Sequence, residues 1–301
     1  MEIELSKLTN VDGIGEKTLY KVREYFLREE SNYLSVYDPD MHLERNTVNQ
    51  GDCLHLMKGI PDNSIDMVLA DLPYGLSDAP WDNPLDLDKI WLQYERIVKE
   101  DGAILLFGIE PFSSKLRLSN LEWYRYDWIW EKTTYTNFYF VKQQPAKKHE
   151  IISVFYKKQP TYNPQMEKGD PYTDIRQKKE RKTSLIKKSL PKQDIVNKGE
   201  RYPSSVQKFS SKNHDQLHPT QKSMELLEFL IETYTNEGEL VLDNVSGSGA
   251  TAIACINTDR DYLCIEMDKE YCRLSEKWIS RVLSGENWRE AQKRVIDWNT
   301  G

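Results

Sequence analysis

The segment Leu240-Val241-Leu242-Asp243-Asn244-Val245-Ser246-Gly247-Ser248-Gly249-Ala250-Thr251 constrains the fold more than any other stretch of the chain. It reads as an apolar strand, a turn of small residues and the start of a helix, a unit whose strand is buried in a parallel sheet. The glycines permit a tight turn and let a ligand approach the main chain, and the N–H groups of the new helix attract a polar or anionic group. Glu266 closes the next strand, where an acid can accept hydrogen bonds from both hydroxyls of a ribose. Together they predict nucleoside binding, with a plain strand-to-helix turn as the alternative. Neither GxGxxG nor GxxxxGK[ST] occurs, which disfavours dinucleotides and nucleoside triphosphates.

The rest of the chain supplies matching units. Strand patterns fall at 46–50, 66–71, 103–108, 123–131, 149–157, 239–243 and 262–266, and helical patterns at 87–100, 111–118, 223–235, through Cys255 and at 269–282. The expected fold is α/β and Rossmann-like: a seven-stranded, mostly parallel sheet with one antiparallel strand and helices on both faces. A length of 301 residues suits one large domain with an appendage. Four regions separate by pattern. Residues 1–40 hold Gly13-Ile14-Gly15 between two short helical patterns, residues 41–157 the first α/β half, residues 158–217 a basic, proline-punctuated insertion without a sustained period, and residues 218–301 the second α/β half with a C-terminal helix.

Charge is uneven. The whole chain carries a formal charge of −7, yet Lys157 to Lys212 hold about 15 basic against about 6 acidic residues. That segment has the footprint of a phosphate-contacting arm, and a solvated insertion fits it equally. The start MEIELSKLTN has no basic region followed by an apolar core, and no apolar run is long enough to span a bilayer, so a cytoplasmic protein without membrane contact is expected. Cys53, Cys255, Cys264 and Cys272 lack metal-type spacing and are expected to be reduced core thiols; no metal site is expected.

A second site is Ala70-Asp71-Leu72-Pro73-Tyr74-Gly75, at the C-terminal end of the 66–71 strand, where a parallel sheet opens its ligand crevice. A carboxylate, a carbonyl ahead of a proline and an aromatic ring stand close together there. Such a group can take two hydrogen bonds from a planar amino group while stacking the ring that bears it; an Asp-capped Pro-Tyr turn is the alternative.

With these residues in place, the chain resembles the S-adenosylmethionine-dependent DNA amino-methyltransferases of the permuted beta group. Asp71 to Tyr74 is similar to that family's Asp-Pro-Pro-Tyr catalytic motif and Asp243 to Gly249 to its cofactor loop. His218-Pro219-Thr220-Gln221-Lys222 resembles the motif preceding the cofactor half, and Gly51-Asp52-Cys53 the segment at the cofactor's adenine. The resemblance spans about residues 45–285. Leu72 replaces a proline used through its carbonyl, Asn244 and Val245 replace Pro-Phe, and Ser223 replaces a proline. The N-terminal segment resembles a helix-hairpin-helix unit that would bind a DNA phosphate; a helical pair packed on the main domain is the other reading.

The resemblance implies a class I methyltransferase fold and methyl transfer to the N6 amino group of an adenine flipped out of double-stranded DNA. Asp71, Leu72, Pro73 and Tyr74 are then the catalytic residues: Asp71 and the Leu72 carbonyl accept from the amino group, and Tyr74 stacks on the base. Asp52 and Cys53 fall at the cofactor's adenine, Glu266 at its ribose, and Asp243, Asn244, Ser246, Gly247, Ser248 and Gly249 around its methionine end, while Lys222 either reaches the cofactor's carboxylate or shapes the pocket. His218 reads as a turn cap and His149-Glu150 as structural. Cytosine-N4 methylation and a catalytically decayed DNA-binding module are the alternatives, and a homodimer is left open.

Overall fold

The computed structural model describes residues 37–79, 81–174, 195–211 and 216–300. The segment read as helix-hairpin-helix-like around Gly13 to Gly15, and much of the basic insertion, lie outside the described residues.

Twelve strands are described. β1 (Val48–Gln50), β2 (Ile65–Ala70), β3 (Val98–Gly108), β4 (Tyr124–Thr136) and β5 (Lys147–Phe155) precede the insertion. Within the insertion lie β6 (Glu167–Lys168), β7 (Tyr172–Asp174), β8 (Ile195–Asn197), β9 (Glu200–Arg201) and β10 (Val206–Phe209). β11 (Leu240–Asp243) and β12 (Asp261–Glu266) complete the set. The helices are α1 (Cys53–Leu56), α2 (Leu87–Ile97), α3 (Phe112–Ser119), α4 (Met224–Tyr234), α5 (Ala250–Asn257), α6 (Lys269–Leu283) and α7 (Trp288–Thr300).

One sheet of eight strands, in the order β1-β12-β11-β2-β3-β5-β4-β10, organises the domain. Only β5 is reversed, antiparallel to both β3 and β4. All seven anticipated strands are present. The eighth, β10, pairs parallel with β4 and comes from the insertion, whose other strands form two small antiparallel ribbons, β6 with β9 and β7 with β8. Charge and proline content hid β10, because an edge strand needs no strong apolar alternation.

Period-two alternation sorts the strands onto two cores. Met67, Leu69, Leu105, Phe107, Val241 and Cys264 face α4, α5, α6 and α7, whereas Val68, Ala70, Ile104, Leu106, Leu242 and Ile265 face α1, α2 and α3. Helix starts follow acidic caps: Asp86 accepts from the N–H groups of Asp88 and Lys89, and Asp268 from those of Glu270 and Tyr271. The four cysteines are buried and free.

From β2 the sheet grows one way through β3; from β11 it grows the other way through β12. The reversal between β2 and β11 is the topological switch point, and the crevice it opens lies beyond their C-terminal ends. Among the described residues no helix is long and apolar enough to cross a membrane.

Candidate active site

Asp71 follows β2 directly, so the strand delivers its carboxylate to the mouth of the crevice. Leu72 turns back into the core with 1% of its surface exposed, which fixes the main chain on either side. The Tyr74 ring leans on Phe112 with centroids 5.0 Å apart, and its hydroxyl donates to Asp71 Oδ1. Gly75 has φ +66° and no room for a Cβ, which would lie 2.6 Å from Pro84 Cγ.

Asp82 holds this turn in shape. Its two oxygens accept the N–H groups of Tyr74, Gly75, Leu76 and Ser77 at 2.7–2.9 Å and the Ser77 hydroxyl at 2.8 Å. Burial opposes its ionisation, but the donors from Ser77, Gly75 and Leu76 prevail and hold its carboxyl below the ordinary carboxylate range.

Lys222, carried on the segment before α4, places Nζ 2.5 Å from Asp71 Oδ2 and 3.4 Å from Glu150 Oε2. Glu150, on β5, is held from its other side by Lys132 Nζ at 2.5 Å. Two acids and two bases therefore alternate in one enclosed cluster. Burial drives the Asp71 carboxyl upward against the pull of Lys222, and Glu150 adds to the rise. Burial works against the Lys222 charge, yet Asp71 and Glu150 outweigh it and raise its pKa. For Glu150 burial is overcome by Lys222 and Lys132, and its pKa falls. Burial and the neighbouring Asp71 charge raise the Tyr74 phenol well above its ordinary value, so it remains a donor.

The glycine loop lies beside this cluster, at the end of the adjacent strand. Asp243 is buried, accepts from Val245 N–H at 3.2 Å and from the Thr251 hydroxyl at 2.6 Å, and is pushed up to about 7, chiefly by burial. Gly249 has φ +80°, and a Cβ there would lie 2.7 Å from Ser275 Cβ, so the chain turns into α5 only with glycine at this position. Glu266 Oε2 accepts from Gly247 N–H and Oε1 from Asp268 N–H, which fixes the loop after β11 to the end of β12. Its carboxyl is raised, first by burial. Gly51 N–H donates to the Glu266 carbonyl at 2.9 Å and so brings the Asp52 turn alongside.

The sequence-predicted residues thus gather on one edge of the sheet, with two adjustments. Lys222, expected to reach the cofactor's carboxylate or to shape the pocket, places its ammonium between Asp71 and Glu150. Cys53 is buried against Asn244, its thiol pushed up to about 11 by burial, so its side chain faces the core rather than the crevice. Asp52 is exposed and caps α1 through His55 N–H. His218 does cap its turn: Nδ1 accepts from Thr220 N–H at 3.2 Å, and burial brings its pKa down to about 4.

Sequence reasoning missed Asp82, Lys132, Tyr94 and the part Glu150 plays. Tyr94 donates to Asn244 Oδ1 at 2.6 Å from α2. Gln221 accepts from Leu217 N–H, from the Ser248 hydroxyl at 3.3 Å and from Gln292 of α7 at 3.0 Å, which ties the His-Pro-Thr-Gln-Lys segment to the glycine loop. Only Glu150 left a trace in the sequence, as a charge inside an apolar strand.

A switch-point crevice with a carboxylate and aromatic cluster on one strand and a glycine loop on its neighbour defines a Rossmann-like methyltransferase. Residues 65–277 match the DNA methylase family, and the chain belongs to it. It is 26% identical to the Type II methyltransferase M2.MboI of Moraxella bovis, over 91% of this chain and 98% of the relative. Against the Type II methyltransferase M.HpaI of Haemophilus parainfluenzae it is 26% identical, over 78% of this chain and 74% of the relative. Among solved structures, M1.HpyAVI in complex with S-adenosylmethionine superposes with a TM-score of 0.51 at 22% identity, covering 77% of this chain and 98% of that one. The cytosine-N4-specific PvuII DNA methyltransferase gives 0.55 at 15% identity, covering 85% and 96%.

Proposed function

We propose that this chain transfers a methyl group from S-adenosylmethionine to the N6 amino group of an adenine in duplex DNA. The observation that carries the reading is the Asp71 to Tyr74 cluster at the end of β2, beside the glycine loop that ends β11.

The residues around the loop suit the cofactor. Asn244 Nδ2 and Ser246 Oγ are buried at the loop with only the Cys53 and Cys264 thiols beside them, and a polar ligand reaching them from the crevice would meet a need that sulfur meets poorly. Glu266 would hold the ribose and Asp52 the adenine end. Asp243 and the Gly247 to Gly249 turn would hold the methionine end. When bound, the cofactor supplies an electrophilic methyl group.

The chain's own residues then act on the acceptor. A base inside a duplex cannot present its amino group to a crevice, so the target is flipped out at a cost of a few kcal/mol. Tyr74 stacks on it. Asp71 and the Leu72 carbonyl accept from the amino hydrogens and turn the nitrogen lone pair outward. Lys222 opposes the upward push of burial on Asp71 and so favours its ionised, accepting form. Acceleration comes from positioning and fixed charge rather than from a covalent enzyme intermediate. The 158–217 insertion, which also supplies β10, serves target recognition, and residues 1–40 contact phosphate.

Asp at position 71 favours adenine over cytosine. The test is to methylate unmodified DNA with labelled cofactor, digest it to nucleosides and separate them. N6-methyladenine is expected; N4-methylcytosine would give the substrate to the alternative, and no labelled nucleoside would overturn the reading.

A further inference from the structure

β4 and β5 run past the crevice edge of the sheet: β3 ends at Gly108 opposite Ile151, whereas β5 already begins at Lys147, paired with Thr136 of β4. The turn between them, residues 137–146, is held by its own backbone. Asn137 adopts φ 63°, and its Oδ1 accepts the Lys147 N–H at 2.7 Å. Phe138–Phe140 form a 3₁₀ turn whose last carbonyl accepts from the N–H groups of Gln143 and Gln144. Yet this ordered turn exposes its apolar side chains: Phe138 is 63% exposed, Tyr139 96% and Phe140 51%, with Val141 beside them. Tyr135 meets Phe138 edge to face, 6.1 Å between centroids. Exposed aromatics grouped this way mark a contact surface.

Charge and position say what it contacts. No acidic residue lies between Glu131 and Glu150 in a chain with 48 acids, while Lys132, Lys142, Lys147 and Lys148 do. Lys132 and Lys148 also pair with Glu150 and Glu131, which leaves the turn itself without negative charge. Glu150 belongs to the Asp71 and Lys222 cluster, and the strand rise puts the start of the turn about 10 Å beyond it. A turn this small offers too little area for a stable protein interface, which needs about 800 Å² on each partner.

We propose that the Phe138 to Val141 turn is a wedge that enters the base stack of duplex DNA next to the target nucleotide and fills the gap left by the flipped base. This rests on the reading that the chain methylates a base taken out of a duplex. Unstacking is the cost of extrusion, and rings carried on an ordered turn beside the crevice offset it without reading sequence. Of the lysines around the turn, Lys142 and Lys147 would face the flanking phosphates, since Lys132 and Lys148 are committed to Glu150 and Glu131.

The test uses the full chain with Phe138→Ser, Tyr139→Ser and Phe140→Ser combined, and two duplexes carrying the chain's methylation site. In one the target base is paired; in the other it faces an abasic residue and is already free to leave the stack. The combined variant is expected to methylate the paired duplex at least about tenfold more slowly than wild type. On the abasic duplex it should stay within about threefold, with unchanged cofactor affinity. Equal loss on both duplexes, or loss on neither, overturns the wedge while leaving the methyltransferase reading intact. So does a variant whose defect tracks the dissociation of a wild-type dimer in sedimentation, which would make the turn a contact between two copies. A wild-type chain that methylates neither duplex overturns the parent reading, and the wedge with it.

Discussion

The Lys222 ammonium stands 2.5 Å from one carboxylate oxygen of Asp71, while the Tyr74 hydroxyl donates to the other. The acceptor proposed for the amino group is therefore held at both oxygens, by groups from two parts of the chain far apart in sequence. Enclosure alone would favour a neutral carboxyl at Asp71, which could accept less well; the lysine opposes that shift.

Lys222→Met leaves Asp71 and Glu150 near one another without their shared cation. Breaking a buried pair by removing one partner costs about 3–5 kcal/mol, and the low end is expected because Lys132 still serves Glu150. The Asp71 pKa should climb further. Since the ionised form is the active one, the remaining activity should rise with pH, with its midpoint displaced to the alkaline side of wild type. Denaturant unfolding and a rate profile against pH check both effects, and a profile superimposable on wild type would remove Lys222 from this role.

Asp71→Asn keeps the shape of the side chain and removes its charge, so turnover should fall by about a hundredfold or more while cofactor affinity stays within a few-fold. At Tyr74 the two parts of the side chain separate. Tyr74→Phe retains the ring and loses the bond to Asp71, so a loss of several-fold is expected. Tyr74→Ala also gives up stacking worth roughly 1–3 kcal/mol and should lose far more. Phe and Ala variants of equal activity would mean that the ring does not stack on the base.

Periodicity made the seven main strands legible, most of them as apolar runs with a helix pattern beside them, although β4 and β5 follow one another with no α-helix between. The glycine loop and Glu266 were legible for a similar reason: a tight turn demands particular residues in a particular order. Asp82, Lys132 and Glu150 were not. Their roles come from contacts across the turn after β2, across β4 and β5, and to the segment before α4, and a lone charge in sequence does not say whom it will meet. Lys222 was legible as a site residue but its protein partners were not, since they depend on where β5 brings Glu150. β10 went unread because an edge strand tolerates the polar residues that make the insertion look like a loop.

Asp82→Ala leaves the main-chain N–H groups of Tyr74, Gly75, Leu76 and Ser77 without their acceptor. Water can reach some of them, so the expected loss of stability is about 1–3 kcal/mol rather than a sum over all the donors. The cofactor loop lies on a different strand and should be spared. Turnover should therefore fall while calorimetric cofactor affinity stays within a few-fold. Equal losses in both would mean that Asp82 supports the whole crevice rather than the turn bearing Tyr74.

Gly249→Ala meets two obstacles, a positive φ and a contact with Ser275 Cβ at 2.7 Å. The first costs about 1–2 kcal/mol for a non-glycine residue, and the second adds to it. Adding Ser275→Gly should recover only the steric part, because the backbone angle is unchanged. Full rescue in unfolding measurements would show that the angle is free to relax, and no rescue that α6 does not restrain the loop.

Asp243 should make cofactor binding depend on pH in the neutral range. Its folded pKa is about 7, raised chiefly by burial above its ordinary value of 3.8. A carboxyl raised in this sense contributes stability fully below its unfolded pKa and loses that contribution as pH rises through the folded one. The cofactor-free protein should therefore lose this part of its stability between roughly pH 4 and 7. S-adenosylmethionine carries positive charge at its sulfonium and amino groups, so its binding favours ionised Asp243 and lowers that pKa. Affinity should then fall as pH drops below about 7, with up to about one proton released per cofactor bound. Calorimetry in buffers of different ionisation enthalpy counts that proton. Glu266 is raised in the same direction, so Asp243→Asn is the needed control: it should abolish most of the proton release and flatten affinity between roughly pH 6 and 8. If the Asn variant releases as many protons as wild type, the titrating group at the loop is Glu266 and Asp243 is a buried structural acid.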